Sequence, residues 1–557
     1  MRLWCFKIAA MKKSVPALLL MFFSLSCFCQ HARLRISDDF NVSENGRKDQ
    51  TVSHSVYHDN YFFTCANSGI GGNYKWAFTK LYDLKFAITI SKFDEKMNQV
   101  KTLDLENGEK EFGPLEPRLL LINNNLYLAY FKSDNKSSFD LYLATVDENS
   151  LAIKQTKKIC NIQQENVGLF KLESIINAGI VYFANSPDKQ KMLIACRATA
   201  NSLQTFVVDN ELNILKQTAI HTSTTGFDIS SALITNENLE FLVLTSREET
   251  KIIANAADGK KTETKLNSYG SLVPYNTGAS LSENGKSIYI YSTSALTDRE
   301  EKNCNGLLLW RLDGTTLELS RPLTYEFTPD MIEAICKKGG GSKHKREYYL
   351  YNFRPELIEL DNGNMVIMGC PQQMSISTNM SAPNMNNQSH AVSTTTFNIG
   401  PVMAFFLNKS GKKVDYTIIP RNIILSKMAS SGSGAIQIVS SPGISRSYSN
   451  FVAADLGDEI AIIYNDDEAN LKRGEDDKVA EAHSPKNLVL VEALIDKDKK
   501  MEYRKQLGEN VSGRYTYFLG NEVPSSSASI IFPIAREGNN FNARKTFYSN
   551  WCFLDVN

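Results

Sequence analysis

What this sequence lacks sets the first limits. Lysine plus arginine equals aspartate plus glutamate at 61 each, so there is no excess of positive charge to hold nucleic acid and no acidic excess to keep the chain unfolded. After Cys29 no apolar run is long enough to cross a bilayer as a helix. No C-x-x-C and no His/Cys group with zinc spacing occurs. The stretch Gly339-Gly340-Gly341-Ser342-Lys343-His344-Lys345-Arg346 lacks the spacing of a phosphate loop and reads as a flexible basic loop. Gly432-Ser433-Gly434 lacks the strand-to-helix setting of a nucleophile elbow and reads as a linker. The seven histidines are scattered, with His221, His344, His390 and His483 read as surface residues. Helical periodicity is nearly absent. Composition and motifs therefore name no reaction and imply no cofactor.

What is there begins with a leader. Lys12 and Lys13 precede the apolar run Val15 to Leu25, and Ser26-Cys27-Phe28-Cys29 supplies small residues before Gln30, the order of a secretory signal. We expect residues 1–29 to be removed and the chain to be exported, periplasmic or extracellular, with no transmembrane anchor afterwards. Lipidation of Cys27 is the alternative, but Ser24 stands where a lipobox requires Leu. The mature chain then carries 57 basic against 61 acidic residues and seven cysteines: Cys65, Cys160, Cys196, Cys304, Cys336, Cys370 and Cys552.

The rest reads as one strand grammar repeated. A strand, a tight polar turn, a strongly apolar strand, a loop, a third strand ending in an apolar residue plus Asp, and a polar fourth strand recur to the end of the chain. The first turn is placed at His58-Asp59-Asn60, Asn123-Asn124-Asn125, Asn177-Ala178-Gly179, Asn236-Glu237-Asn238, Glu283-Asn284-Gly285, Asp361-Asn362-Gly363, Leu456-Gly457-Asp458 and Asn521-Glu522. These are residues that accept positive φ. The second turn recurs at Asp94, Asp147, Asp209, Asp258, Asp313, Asn408, Asp496 and Asp555. Eight registers predict an all-β fold over residues 30–557, a single β-propeller of eight four-stranded blades, with seven as the nearest alternative. In the third copy the third strand is either Met192 to Cys196 or Gln204 to Asp209. The eighth copy ends without a fourth strand, and Arg33 to Ile36 has no partner of its own, so the N-terminal strand is expected to complete the last blade.

Long insertions near 328–347, 372–396, 426–445 and 466–486, with Asn67 to Leu81, all fall between second and third strands or between blades. Antiparallel order puts both kinds of connection at one end of the blades, where we expect partner recognition. Asp466, Asp467, Asp476 and Asp477 are metal candidates, though Lys472 and Arg473 between them favour a solvated loop. Cys304 and Cys336 lie in loops expected at the same end and are the disulfide candidate.

Tyr348 to Cys370 and Tyr448 to Leu471, centred on Asp458-Glu459-Ile460-Ala461-Ile462-Ile463-Tyr464-Asn465-Asp466, resemble uncharacterised secreted β-propeller-like proteins of Bacteroidota. The resemblance spans about the C-terminal 200 residues and implies no known activity. We expect a non-enzymatic propeller that binds a protein, peptide or glycan and no nucleic acid. The alternatives are a hydrolase or lyase with its site at the central channel mouth, and a structural component of the cell envelope.

Overall fold

In the computed structural model the described residues are 32–36 and 51–556, with breaks at 71–84, 106–116, 164–180, 297–303, 340–352, 381–390, 432–450, 508–514 and 537–549 and at shorter gaps. The leader, the Asn177-Ala178-Gly179 and Asn521-Glu522 turns, and most of the Asn67 to Leu81 insertion lie outside them. The chain is all-β, and its strands form successive antiparallel sheets. Sheets 1 to 5 each take four consecutive strands, between Thr51 and Leu105, Arg118 and Gln163, Val181 and His221, Asp228 and Lys265, and Leu272 and Glu326. Sheet 6 uses Glu356–Glu359, Met365–Gly369, Val402–Leu407 and Lys413–Ile419, and sheet 7 runs from Phe451 to Gln506. Sheet 8 holds Tyr515–Tyr517, Val523–Ser526, Ser529–Arg536 and Asn550–Val556, together with Ala32–Ile36 from the other end of the chain.

Residue chemistry explains the place of each strand within its sheet. The second and third strands of sheet 7, Ile460–Asp467 and Leu488–Ile495, are buried at every position, as expected of strands covered on both faces. The fourth strands are edges. Lys261–Lys265, with the sequence KTETK, alternates exposed and half-buried residues, and its lysines discourage pairing with another chain.

Consecutive sheets pack face to face through shared apolar clusters. Phe63 and Ile90 of sheet 1 join Leu128 and Tyr130 of sheet 2, and equivalent clusters link sheets 2 and 3, 3 and 4, 4 and 5, 5 and 6, and 6 and 7. The first strands of sheets 3 to 6 lie side by side, and Thr51–His58 of sheet 1 lies between Arg118–Ile122 of sheet 2 and Val523–Ser526 of sheet 8. Four-stranded meanders packed in sequence with their first strands adjacent make a β-propeller.

Two repeated polar devices hold this arrangement. At the third-to-fourth turns the side chain of Asp94, Asp147, Asp209, Asp258, Asp313, Asn408 or Asp496 accepts main-chain N–H groups two to four residues ahead, at 2.7–3.1 Å. The second device is a clasp in which the outer half of one sheet donates to a carbonyl in that turn of the next. Lys92 Nζ reaches Glu148 O at 3.1 Å, Lys157 Nζ reaches Leu212 O at 2.7 Å and Lys216 Nζ reaches Ala256 O at 3.5 Å. The Tyr325 and Thr417 hydroxyls do the same to Gly411 O and Lys499 O.

The third sheet corrects one register. Its first turn is Ser186 to Gln190, between Val181–Asn185 and Lys191–Thr199, and its third strand is Ser202–Asp209. Pro187 and Asp188 form the turn, and the Asn177-Ala178-Gly179 segment precedes the first strand.

Ala32–Ile36 pairs antiparallel with Cys552–Val556, from Ala32 opposite Val556 to Ile36 opposite Cys552. Deleting residues 32–36 is expected to strip amide-exchange protection from 550–556 and to expose a strand edge that drives self-association. Unchanged exchange in that peptide would show that the pairing contributes nothing.

Candidate functional site: the insertion-bearing face

Short turns occupy one end of the sheets and join to one another. Asn123 N–H donates to Lys189 O at 2.6 Å, Asp188 N–H to Asn236 Oδ1 at 3.0 Å, and Asp361 N–H to Asp455 Oδ2 at 2.8 Å. The other end carries the insertions, and several of their described segments form helix or strand.

The first insertion opens with a helix, Pro329–Lys338. Thr328 caps it by accepting the Met331 N–H at 3.3 Å, Pro329 occupies the first turn, and Asp330 and Lys337 complement the helix dipole. Met331, Ile335 and Cys336 face inward. The second and third insertions, expected as loops, pair with each other instead. Gln372–Met380 and Ala391–Ile399 form a hairpin, and Ile423–Ser431 adds to its second strand along nine residues. This three-stranded sheet leaves sheet 6 between its second and third strands. Its root is apolar, with Cys370, Ile399, Ile423, Leu425, Ala482 and Leu488 packed together. Farther out, Ser375 and Ser377 are exposed. Thr394-Thr395-Thr396 are β-branched and suit a strand even where hydroxyls face water.

The fourth insertion locks onto the third. Ala482 N–H donates to Asn422 O at 3.0 Å, and Ile424 N–H donates to Ala482 O at 2.8 Å. Beneath this bridge is a buried polar knot. Arg421, with no exposed surface, donates from Nε to Gly400 O at 3.0 Å, and its N–H donates to Lys338 O at 3.2 Å. Arg504 donates to Asn470 O at 2.7 Å and Pro420 O at 3.3 Å and faces the Asp466 carboxylate at 3.4 Å. Asp466 Oδ1 accepts from Asn470 Nδ2 at 2.9 Å and from Asp467 N–H at 2.8 Å. Burial pushes the Asp466 carboxyl up to about 6, and the Asn470 hydrogen bond and the Arg504 charge offset only part of that. Helix, hairpin and fourth insertion thus meet at Arg421, Asp466 and Arg504.

Two of the proposed metal ligands take part in this geometry. Asp466 is fully buried in the knot, and Asp467 caps the short helix Glu468–Leu471 by accepting the Ala469 N–H at 2.8 Å. Both carboxylates are occupied in holding the insertion, while Asp476 and Asp477 lie outside the described residues. Cys304 and Cys336 are both buried thiols that no disulfide joins. Cys304 Sγ contacts Gly306 O at 3.4 Å, and burial raises its pKa to about 12.

Among the described residues one group of three could share a cation, and the sequence reading passed over it: His58, Asp59 and Glu148, contributed by turns of sheets 1 and 2. His58 Nε2 lies 3.4 Å from Asp59 and 3.5 Å from Glu148, whose carboxyl is raised chiefly by burial. His54 and His58 stand four apart, a spacing that signals metal on a helix. Here both lie on the strand Thr51–His58, which sets their Cα atoms about 13 Å apart and removes that meaning. The group faces the short-turn end, away from the insertions.

No family model matches the chain, and no curated protein matches it. Among solved structures, the WD40 domain of SCAP from fission yeast is similar at 10% identity and a TM-score of 0.39, over 95% of this chain and 98% of that one. The periplasmic gluconolactonase PpgL of Pseudomonas aeruginosa is similar at 13% identity and a TM-score of 0.32, over 72% of this chain and 99% of that one. Similarities of this size transfer no activity or partner to this chain.

Proposed function

We propose that this chain is an exported, eight-bladed β-propeller that binds a protein, peptide or glycan partner, without catalysis, through its insertion-bearing face. The observation that carries the reading is the convergence of three separate insertions on one buried knot. Fixing the three-stranded sheet in this way costs the chain one buried and one mostly buried guanidinium and a buried carboxylate, a cost a mere spacer does not require. Among its described side chains Ser375 and Ser377 are exposed, and the half-buried amides of Gln373 and Asn398 beside them are joined to each other at 3.2 Å. Such groups recognise neutral hydrogen-bonding ligands such as a peptide main chain or sugar hydroxyls. The leader supports export, and the strand grammar with the Ala32–Ile36 pairing supports eight blades closed by the N-terminal strand.

The test replaces Ser375 to Thr396 with Asn-Gly, leaving the root of the hairpin in place. Thermal stability is expected to stay within a few degrees of the parent, because none of the described side chains removed, Ser375, Ser377, Thr394 and Thr396, is buried. Capture of partners, read by glycan array and by cross-linking on the native host's cells, is expected to fall to background. Undiminished capture would place binding elsewhere.

A further inference from the structure

Two of the cysteines meet across two sheets. Cys160, on the fourth strand of sheet 2, stands opposite Leu141. Cys196, on the second strand of sheet 3, stands between Val181 and Gln204. They are 36 positions apart in sequence, yet their Sγ atoms lie 3.1 Å apart. Both sit inside the apolar cluster joining the two sheets, Cys160 at 5% exposure and Cys196 at 0%. The separation exceeds a disulfide bond by about 1 Å, a distance that small rotations about the two χ1 angles can close.

We propose that Cys160 and Cys196 form a disulfide that cross-links sheets 2 and 3. The oxidant is an exchangeable disulfide, that of a thiol–disulfide oxidoreductase or of glutathione disulfide. One cysteine thiolate attacks it to give a mixed disulfide, and the second displaces the remaining half. The Cys160–Cys196 bond forms, the donor's S–S bond breaks, and the two electrons and two protons leave on two donor thiols. Both sulfurs are closed off in the finished fold, so exchange occurs on the folding chain before sheets 2 and 3 pack. Afterwards no external thiolate reaches the bond, which makes it structural and not a switch. The proposal rests on the export reading only for the source of its oxidant and is independent of partner binding.

The full chain, refolded from denaturant with reduced and oxidised glutathione, is denatured again without reductant, alkylated with iodoacetamide and digested with trypsin. The expected product is Ile159–Lys171 linked to Met192–Arg197, with neither cysteine alkylated. In Cys160→Ala the Met192–Arg197 peptide is expected to become alkylated. Alkylation of both Cys160 and Cys196 in the parent, or linkage of either to a different cysteine, overturns the pairing. Neither result bears on the hairpin replacement, whose readout is partner capture.

Discussion

Asp466→Ala is expected to cost about 3 kcal/mol or more, because it leaves the Arg504 guanidinium buried against carbonyls alone. Asp466→Asn is expected to cost less. Its amide oxygen still accepts from Asn470 and the Asp467 N–H, which Ala cannot do, although Arg504 loses its anionic partner in both variants. The two variants also differ from the parent in pH dependence, with a sign opposite to that of most carboxylates. Burial raises Asp466 to about 6, above the ~3.9 of an unfolded Asp. Between those values the folded chain holds a proton that the unfolded chain releases. This group therefore adds stability as the pH falls, fully below ~4, and loses it as the pH rises through about 6. The turn carboxylates Asp147, Asp258 and Asp313 are shifted down by their hydrogen bonds and ion pairs, so they titrate below this window. Urea midpoints at pH 7 and pH 5 should show the parent gaining relative to Asp466→Asn on acidification. Parallel behaviour of the two proteins would mean that Asp466 carries no raised pKa. Because Arg504 also holds Pro420, Asp466→Ala should loosen the accessory sheet and weaken partner capture more than Asp466→Asn does.

The legible part of this fold lies where local chemistry and tertiary structure agree. The apolar second and third strands and the Asp-led turns could be read because burial on both faces and the self-capping carboxylate each leave a residue signature. The accessory sheet left none. Gln372–Met380 and Ile423–Ser431 are rich in Ser and Met, and their pairing depends on a root of Ile399, Ile423 and Leu425 that only the fold assembles. The knot was half legible: Tyr464-Asn465-Asp466 stood out as a motif, but Arg421 and Arg504, 45 and 38 residues from Asp466 by number, did not. The lysine clasps were equally silent: Lys157 and Lys216 lie on edge strands, where a lysine reads as solvated until the next sheet's carbonyl is seen beside it. The Cys160–Cys196 contact joins residues of two sheets whose facing was unknown from sequence. Each thiol alone matched the ordinary buried cysteine.

The last class that sequence concealed is a leucine in the left-handed region. Leu151, Leu212 and Leu317 have φ near +60° in the third-to-fourth turns of sheets 2, 3 and 5, where Gly411 serves in sheet 6. No turn residue marks these positions, and their side chains explain why: Leu151 and Leu212 are fully buried and Leu317 is 8% exposed, each within a cluster between two sheets. The backbone strain, ~1–2 kcal/mol for a residue with a Cβ, is outweighed by burying the isobutyl group. Leu212→Ala is therefore expected to cost ~2–5 kcal/mol, since it loses the packing and keeps the strain. Leu212→Gly loses the same packing but releases the strain, so it should be no worse than Ala and milder by up to ~1 kcal/mol. That order reverses the usual one, in which Gly is the more destabilising by ~0.5–1 kcal/mol. Equilibrium urea unfolding of the two variants decides the matter. A glycine variant less stable than the alanine variant would show that φ at Leu212 imposes no strain.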